Sequence, residues 1–124
     1  MALTLVDTSS WLHALRPGGD PDETQRVRGL LESGEVAWCP IVRLEPWNGA
    51  RGVRGKRVLE EMSGELPDLP IDIPAWQIAI ELAEQARSRG HTVPATDILI
   101  LATARRHGTA LEHADAHLAT ACAR

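Results

Sequence analysis

The stretch Thr92-Val93-Pro94-Ala95-Thr96-Asp97-Ile98-Leu99-Ile100-Leu101-Ala102-Thr103-Ala104 shows no polar stripe at helical spacing. A surface helix alternates an apolar face with a polar one, so this run predicts a helix buried around most of its circumference. Thr96 is placed to cap it, Pro94 stands just before its first turn, and Arg105-Arg106-His107-Gly108 closes it. One carboxylate, Asp97, heads the run. A helix-start carboxylate is favoured by the dipole and the free N–H groups, so Asp97 alone reads equally well as a cap or as part of a site.

The rest of the chain alternates strand and helix patterns. Ala2 to Val6 is a β-prone run that stops abruptly at Asp7, and Thr8, Ser9 and Ser10 lead into a short helix at Trp11-Leu12. A loop spans Arg16 to Pro21. From Asp22 to Ser33 the spacing of Val27, Leu30 and Leu31 predicts an amphipathic helix ended by Gly34, followed by a second strand at Val36-Ala37-Trp38. Pro40 to Arg51 reads as a helix with Ile41, Leu44 and Glu45 on one face. Pro46 removes an N–H and costs about 3 kcal/mol inside a helix, which predicts a kink or restart at Glu45–Pro46.

Val58, Leu59 and Met62 suggest a helix reaching about Ser63, and the proline-punctuated Leu66 to Ile73 allows a short edge strand near Pro70–Ile73. Pro74 opens a clear amphipathic helix with a stripe of Trp76, Ala79, Ile80, Ala83 and Ala86, closed by Gly90. After the Asp97 helix, Thr109 to Glu112 is a fourth strand, and Asp115 falls between its end and a further helix start. Alternating elements of this kind imply a single α/β domain over residues 1–124 with a parallel sheet.

Composition changes this picture little. The 124 residues are 44% hydrophobic and 24% charged, ordinary for a globular chain, with four Trp and no Phe or Tyr. The core is therefore aliphatic, and base stacking on Tyr or Phe is excluded. A net charge of −4 argues against a basic nucleic-acid coat, but an acidic metal site would account for that sign without excluding a nucleic-acid enzyme. Cys39 and Cys122 show no pairing pattern and read as free thiols. With no spanning apolar stretch and no basic leader before Asp7, the cytoplasm is the expected compartment.

Charge placement matters more than charge total. Asp7 and Asp115 lie just beyond strands and Asp97 at a helix start, so a parallel sheet would bring all three to one edge, with Glu45 from the helix after the second strand as a fourth. Four carboxylates so placed repel one another unless a cation joins them. Oxygen donors without His or Cys favour Mg2+, or Mn2+, which would orient a water and neutralise charge on a phosphate. The reaction class is metal-assisted phosphodiester hydrolysis. Arg51, Arg54, Lys56 and Arg57 put four cations into seven residues, either a solvated helix start or a patch that positions an RNA backbone.

Val6-Asp7-Thr8-Ser9, Leu44-Glu45, Ala95-Thr96-Asp97-Ile98-Leu99-Ile100-Leu101-Ala102-Thr103-Ala104 and His113-Ala114-Asp115 together resemble the ordered acidic motifs of PIN-domain nucleases, nearest the VapC-type toxins of bacterial toxin–antitoxin systems. The resemblance spans essentially the whole chain. It implies a three-layer PIN-like fold with four to five parallel strands and a Mg2+-dependent ribonuclease with Asp7, Glu45, Asp97 and Asp115 around the metal. Thr8 or Ser9 would orient the carboxylates. It also implies a VapB-type antitoxin and a homodimer. Three features depart from the family's pattern: Pro46 directly after Glu45, His117 where many members carry a further Asp, and an end at Arg124 before a last edge strand.

Three other readings compete. His113-x-Asp115-x-His117 has helical i, i+4 spacing for a transition metal but lacks a third ligand at fixed spacing. Asp7 would suit an aspartyl-phosphate phosphatase, except that Ser9 stands where such enzymes carry a second Asp. A PIN-like binding module with a decayed site is the non-enzymatic alternative.

Overall fold

The computed structural model describes residues 2–16, 18–49, 57, 60–61 and 64–115. Three short strands, β1 (Thr4–Val6), β2 (Val36–Ala37) and β3 (Ala110–Glu112), form a parallel sheet in the order β2-β1-β3. β1 sits in the middle, with Thr4 beside Val36 and Leu5 beside Ala37 on one flank. On the other, Thr4, Leu5 and Val6 pair with Ala110, Leu111 and Glu112. The described residues thus hold three strands of the four to five expected, in the expected parallel class. Any last edge strand lies outside them.

α1 (Thr8–Leu15) and α2 (Pro21–Glu32) connect β1 to β2. α3 (Pro40–Gly49) follows β2, and α4 (Ile73–Ser88) and α5 (Ala95–His107) precede β3. No helix among the described residues is long and apolar enough to cross a membrane.

α5 is the buried helix that the apolar run predicts: every residue from Ile98 to Ala104 is buried. It serves two cores at once. Ile100 and Ala104 join Leu5, Val6, Trp11, Val27, Val36, Trp38 and Val42 around the sheet. Ile98, Leu99, Leu101 and Ala102 pack with Ala79 and Leu82 of α4. The first core is not purely aliphatic as expected: fully buried Trp11 and Trp38 meet edge to face within it, with ring centres 6.3 Å apart. Thr103, fully buried, satisfies its hydroxyl on the Leu99 carbonyl at 2.7 Å. Gly108 ends the helix in the left-handed region at φ 65°, which a β-carbon would disfavour, and the chain turns straight into β3. Cys39 is a buried free thiol, its pKa pushed up by that burial.

Several local expectations are corrected. α5 begins at Ala95 with Pro94 as its cap, so Thr96 lies inside the first turn and makes no capping bond. α3 continues through Pro46 to Gly49 without the restart expected at Glu45–Pro46; one lost N–H is outweighed by the burial of residues such as Val42. The proline-rich segment forms a bridge two residues before the expected strand. Trp38 donates to the Pro67 carbonyl and accepts from the Leu69 N–H, so neither proline has to donate. On α4 the buried stripe is Ala75, Ala79, Leu82 and Ala86, while Trp76 and Ile80 are 51% and 60% exposed. On α2 the buried positions are Glu23 and Val27, and Leu31 is exposed.

Asp72 ties the start of α4 to the end of α5. Its carboxylate caps α4 by accepting from the Ala75 N–H at 3.1 Å and pairs with Arg106 at 3.0 Å. Partial burial works against its charge, but the Ala75 bond and Arg106 outweigh it and hold the carboxyl below its ordinary value of 3.8. A depressed carboxyl stabilises the fold above the unfolded-state value and loses that contribution as pH falls through the folded one. Asp72→Asn is therefore expected to lower the denaturation midpoint at neutral pH, with the gap from wild type closing as the pH drops below about 3.8. A gap independent of pH contradicts this account.

Candidate active site

The sheet delivers Asp7 to its carboxyl-end edge. Its N–H extends the ladder by donating to the Glu112 carbonyl at 2.9 Å, and its own carbonyl accepts from Trp11 N–H at 3.1 Å to start α1. Asp7 is thus the α1 cap. One carboxylate oxygen, Oδ2, accepts from the Ser9 N–H at 3.1 Å and the Ser9 hydroxyl at 2.6 Å. The residue is only 2% exposed, and its other oxygen, Oδ1, is buried without a hydrogen-bond donor among the described residues. A carboxylate oxygen withdrawn from water and left unpaired costs several kcal/mol. A hard cation is the partner that would satisfy it.

Two hydroxyls link Asp7 to its surroundings. Thr8 Oγ1 donates to Glu45 Oε1 at 2.8 Å, which draws the middle of α3 to the start of α1. Ser9 Oγ, besides donating to Asp7, accepts the Ala114 N–H at 3.0 Å and so fastens the loop after β3. Asp115 is the next residue of that loop and is half-buried. Hydrogen bonds therefore tie Asp7 through Ser9 to the segment bearing Asp115, and Thr8, the residue after Asp7, to Glu45.

Asp97 reaches the same region by topology. It is the third residue of α5, half-buried, in the first turn. α5 packs on α3 and β3, and its early residues Ile98 and Leu99 share a cluster with Ile41 and Leu111. Among the described residues, however, no three His, Cys, Asp or Glu side chains are arranged as a set that could hold a metal ion. The donor chemistry at Asp7 fits a hard ion, and the described side chains of the four acids do not form a closed chelate.

The cationic patch falls largely outside the described residues: Arg51, Arg54 and Lys56 do, and Arg57 is an exposed helical residue. His117 lies outside them too. His113 is half-buried, with Nδ1 unpartnered among the described residues.

One feature beside the site had no counterpart in the sequence expectations. Glu23 of α2 is 1% exposed, accepts from the Ser10 hydroxyl at 2.6 Å, and pairs with Arg26, which also reaches Glu112 at 3.3 Å. Burial pushes the Glu23 pKa up, but hydrogen bonds from Ser10, Glu112 and Arg26 outweigh it and bring it below its ordinary value. Burial and the neighbouring Glu23 raise Glu112, with Arg26 opposing. The available signal was spacing: Glu23 stands four residues before Val27, on its buried face.

Against known proteins, residues 4–123 match the family model described as PIN domain. The chain is 34% identical over 118 residues to Ribonuclease VapC11 of Mycobacterium tuberculosis, covering 92% of this chain and 87% of the relative. The crystal structure of FitAcB from Neisseria gonorrhoeae superimposes with a TM-score of 0.75 at 23% identity, over 96% of this chain and 93% of that one. VapBC-5 from Mycobacterium tuberculosis, described as a member of the VapBC family of toxin–antitoxin systems, gives 0.72 at 19% identity, over 99% and 93%. At those identities the two structures speak to the fold alone.

Ser9 is the joint between Asp7 and the loop after β3. Ser9→Ala removes both side-chain hydrogen bonds, with an expected loss of about 1–3 kcal/mol and faster amide exchange at Ala114. Unchanged exchange at Ala114 would show that the loop is held by something else.

Proposed function

The chain belongs to the PIN-domain family and, within it, to the VapC ribonucleases, and on that premise we propose that it is a Mg2+-dependent endoribonuclease toxin neutralised by a cognate VapB-type antitoxin. The observation that carries the metal reading is Asp7 Oδ1, a buried carboxylate oxygen without a donor among the described residues at the carboxyl edge of a parallel sheet. Asp7, Glu45, Asp97 and Asp115 would hold the ion, Mg2+ or Mn2+. When bound, it supplies an activated water and neutralises charge on the scissile phosphate.

The chain's own groups prepare that site. Ser9 occupies Oδ2 of Asp7 and leaves Oδ1 for the cation. Thr8 fixes the Glu45 carboxylate through its hydroxyl. Asp97 stands in the first turn of α5, where the free N–H groups and the helix dipole favour negative charge. Hydrolysis breaks one P–O bond of the RNA backbone as the water oxygen forms another, and the leaving oxygen takes a proton. Arg57, with Arg51, Arg54 and Lys56, would meet the neighbouring phosphates.

The antitoxin reading is supported by the toxin–antitoxin systems among the structural neighbours and by an apolar groove between α1 and α2 lined by Trp11, Ala14, Leu15, Val27 and Leu31. Homodimer formation is supported by the outward face of α4, where Ile73, Trp76 and Ile80 recur at helical spacing and are all exposed. The absence of a three-ligand set among the described residues favours one alternative, a binding module with a decayed site.

RNA cleavage by the antitoxin-free protein separates the two. Cleavage is expected with Mg2+ and not with excess chelator. Asp7→Asn is expected to lower it by at least the ~100-fold that losing a supporting partner of a metal ligand costs. Cleavage that survives both treatments contradicts the metal mechanism, and no cleavage by the wild type under any metal condition favours the binding module.

A further inference from the structure

Glu23 is an expensive residue where it stands. A carboxylate at 1% exposure loses its hydration. An apolar side chain beside Val27 would stabilise the core at least as well, because replacing a buried ion pair by packed hydrophobic groups is often neutral or favourable. What the carboxylate provides is directional bonding. Its Oε2 accepts the Ser10 hydroxyl at 2.6 Å, the short distance of a charge-assisted bond, and its Oε1 accepts from Arg26.

These contacts lead to both segments that carry the acids. Ser10 follows Ser9, whose hydroxyl holds Asp7 Oδ2 at 2.6 Å and the Ala114 N–H at 3.0 Å. Arg26 reaches the side chain of Glu112 at 3.3 Å, and the Glu112 carbonyl accepts the Asp7 N–H at 2.9 Å. One side chain on α2 is therefore connected to the start of α1 and to the end of β3.

We propose that Glu23 is a positioning residue for the cation-binding acids, setting the direction of the Asp7 carboxylate through Ser10 and the register of the β3 end through Arg26 and Glu112. It touches neither substrate nor ion. The inference rests on the reading of Asp7 as a metal ligand. Its effect is large because a misplacement of about 1 Å in a reacting constellation costs on the order of a hundredfold.

The test is Mn2+ titration of the full-length protein, followed by electron paramagnetic resonance, with kcat and KM for RNA measured alongside. Glu23→Ala is expected to weaken Mn2+ about ten- to hundredfold and to lower kcat while leaving KM nearly unchanged. Ser10→Ala, which deletes one arm with little change of volume, is expected to show an intermediate loss. Glu23→Gln should restore part of the affinity, because its amide oxygen still accepts from Ser10 while its NH2 cannot accept from Arg26. Leu30→Ala loosens the packing of the same helix on the core without touching the network and should leave Mn2+ affinity unchanged. Glu23→Ala binding Mn2+ within about twofold of wild type overturns the proposal, as does an equal loss in Leu30→Ala, which would mark general loosening. If Glu23→Ala does not fold, Ser10→Ala decides by the same criterion. A wild type that binds no Mn2+ removes the reading of Asp7 as a ligand and this inference with it, whereas normal wild-type binding with insensitive variants removes this inference alone.

Discussion

Asp7 belongs to two elements at once. Its N–H still bonds to β3, at the Glu112 carbonyl, while its own carbonyl already accepts the first bond of α1. That double membership leaves the residue no room to turn. Its backbone is set by the central strand, and its Oδ2 is fixed by Ser9, so Oδ1 has one direction left. Everything else in the candidate site is arranged relative to this carboxylate. Thr8, one residue on, brings Glu45 in from α3, and Ser9, two residues on, brings in the loop before Asp115.

The surrounding fold explains why such a costly group persists. α5 fills two cores with its apolar body and carries Asp97 in its first turn, so tight packing braces the helix behind that residue. β1 is paired on both sides, and its end cannot fray without breaking the sheet. A buried carboxylate oxygen left without a donor among the described residues at a well-braced position is a group held at a cost in stability, which is the usual sign of a site held for function.

Much of this was legible in the residues. The apolar run after Asp97 could only be a buried helix, and the stop at Asp7 after a β-prone run marked the strand end correctly. Local detail was less legible, because tertiary packing decides it. Pro46 sits inside α3 because the helix is held by burial on other residues, a balance that propensity alone does not show. Pro94 rather than Thr96 caps α5 since the loop enters from an extended proline. Trp76 and Ile80 looked like a core stripe, but small alanines on the neighbouring face are what pack against α5. Glu23 was hidden for a different reason: an acid in a helix's first turn already has an explanation in the dipole, so its burial left no trace in composition.

The family assignment and the geometry carry separate parts of the account. The matches to PIN-domain and VapC proteins give the reaction class its premise, while the orphaned oxygen of Asp7 locates where the chemistry would centre. A crystal of the protein soaked in Mn2+ and measured for anomalous scattering tests that centre directly. The account predicts a manganese peak about 2.0–2.2 Å from Asp7 Oδ1, with Ser9 still bonded to Oδ2. No peak at Asp7 under saturating Mn2+, with Oδ1 instead paired to a protein donor, would contradict it.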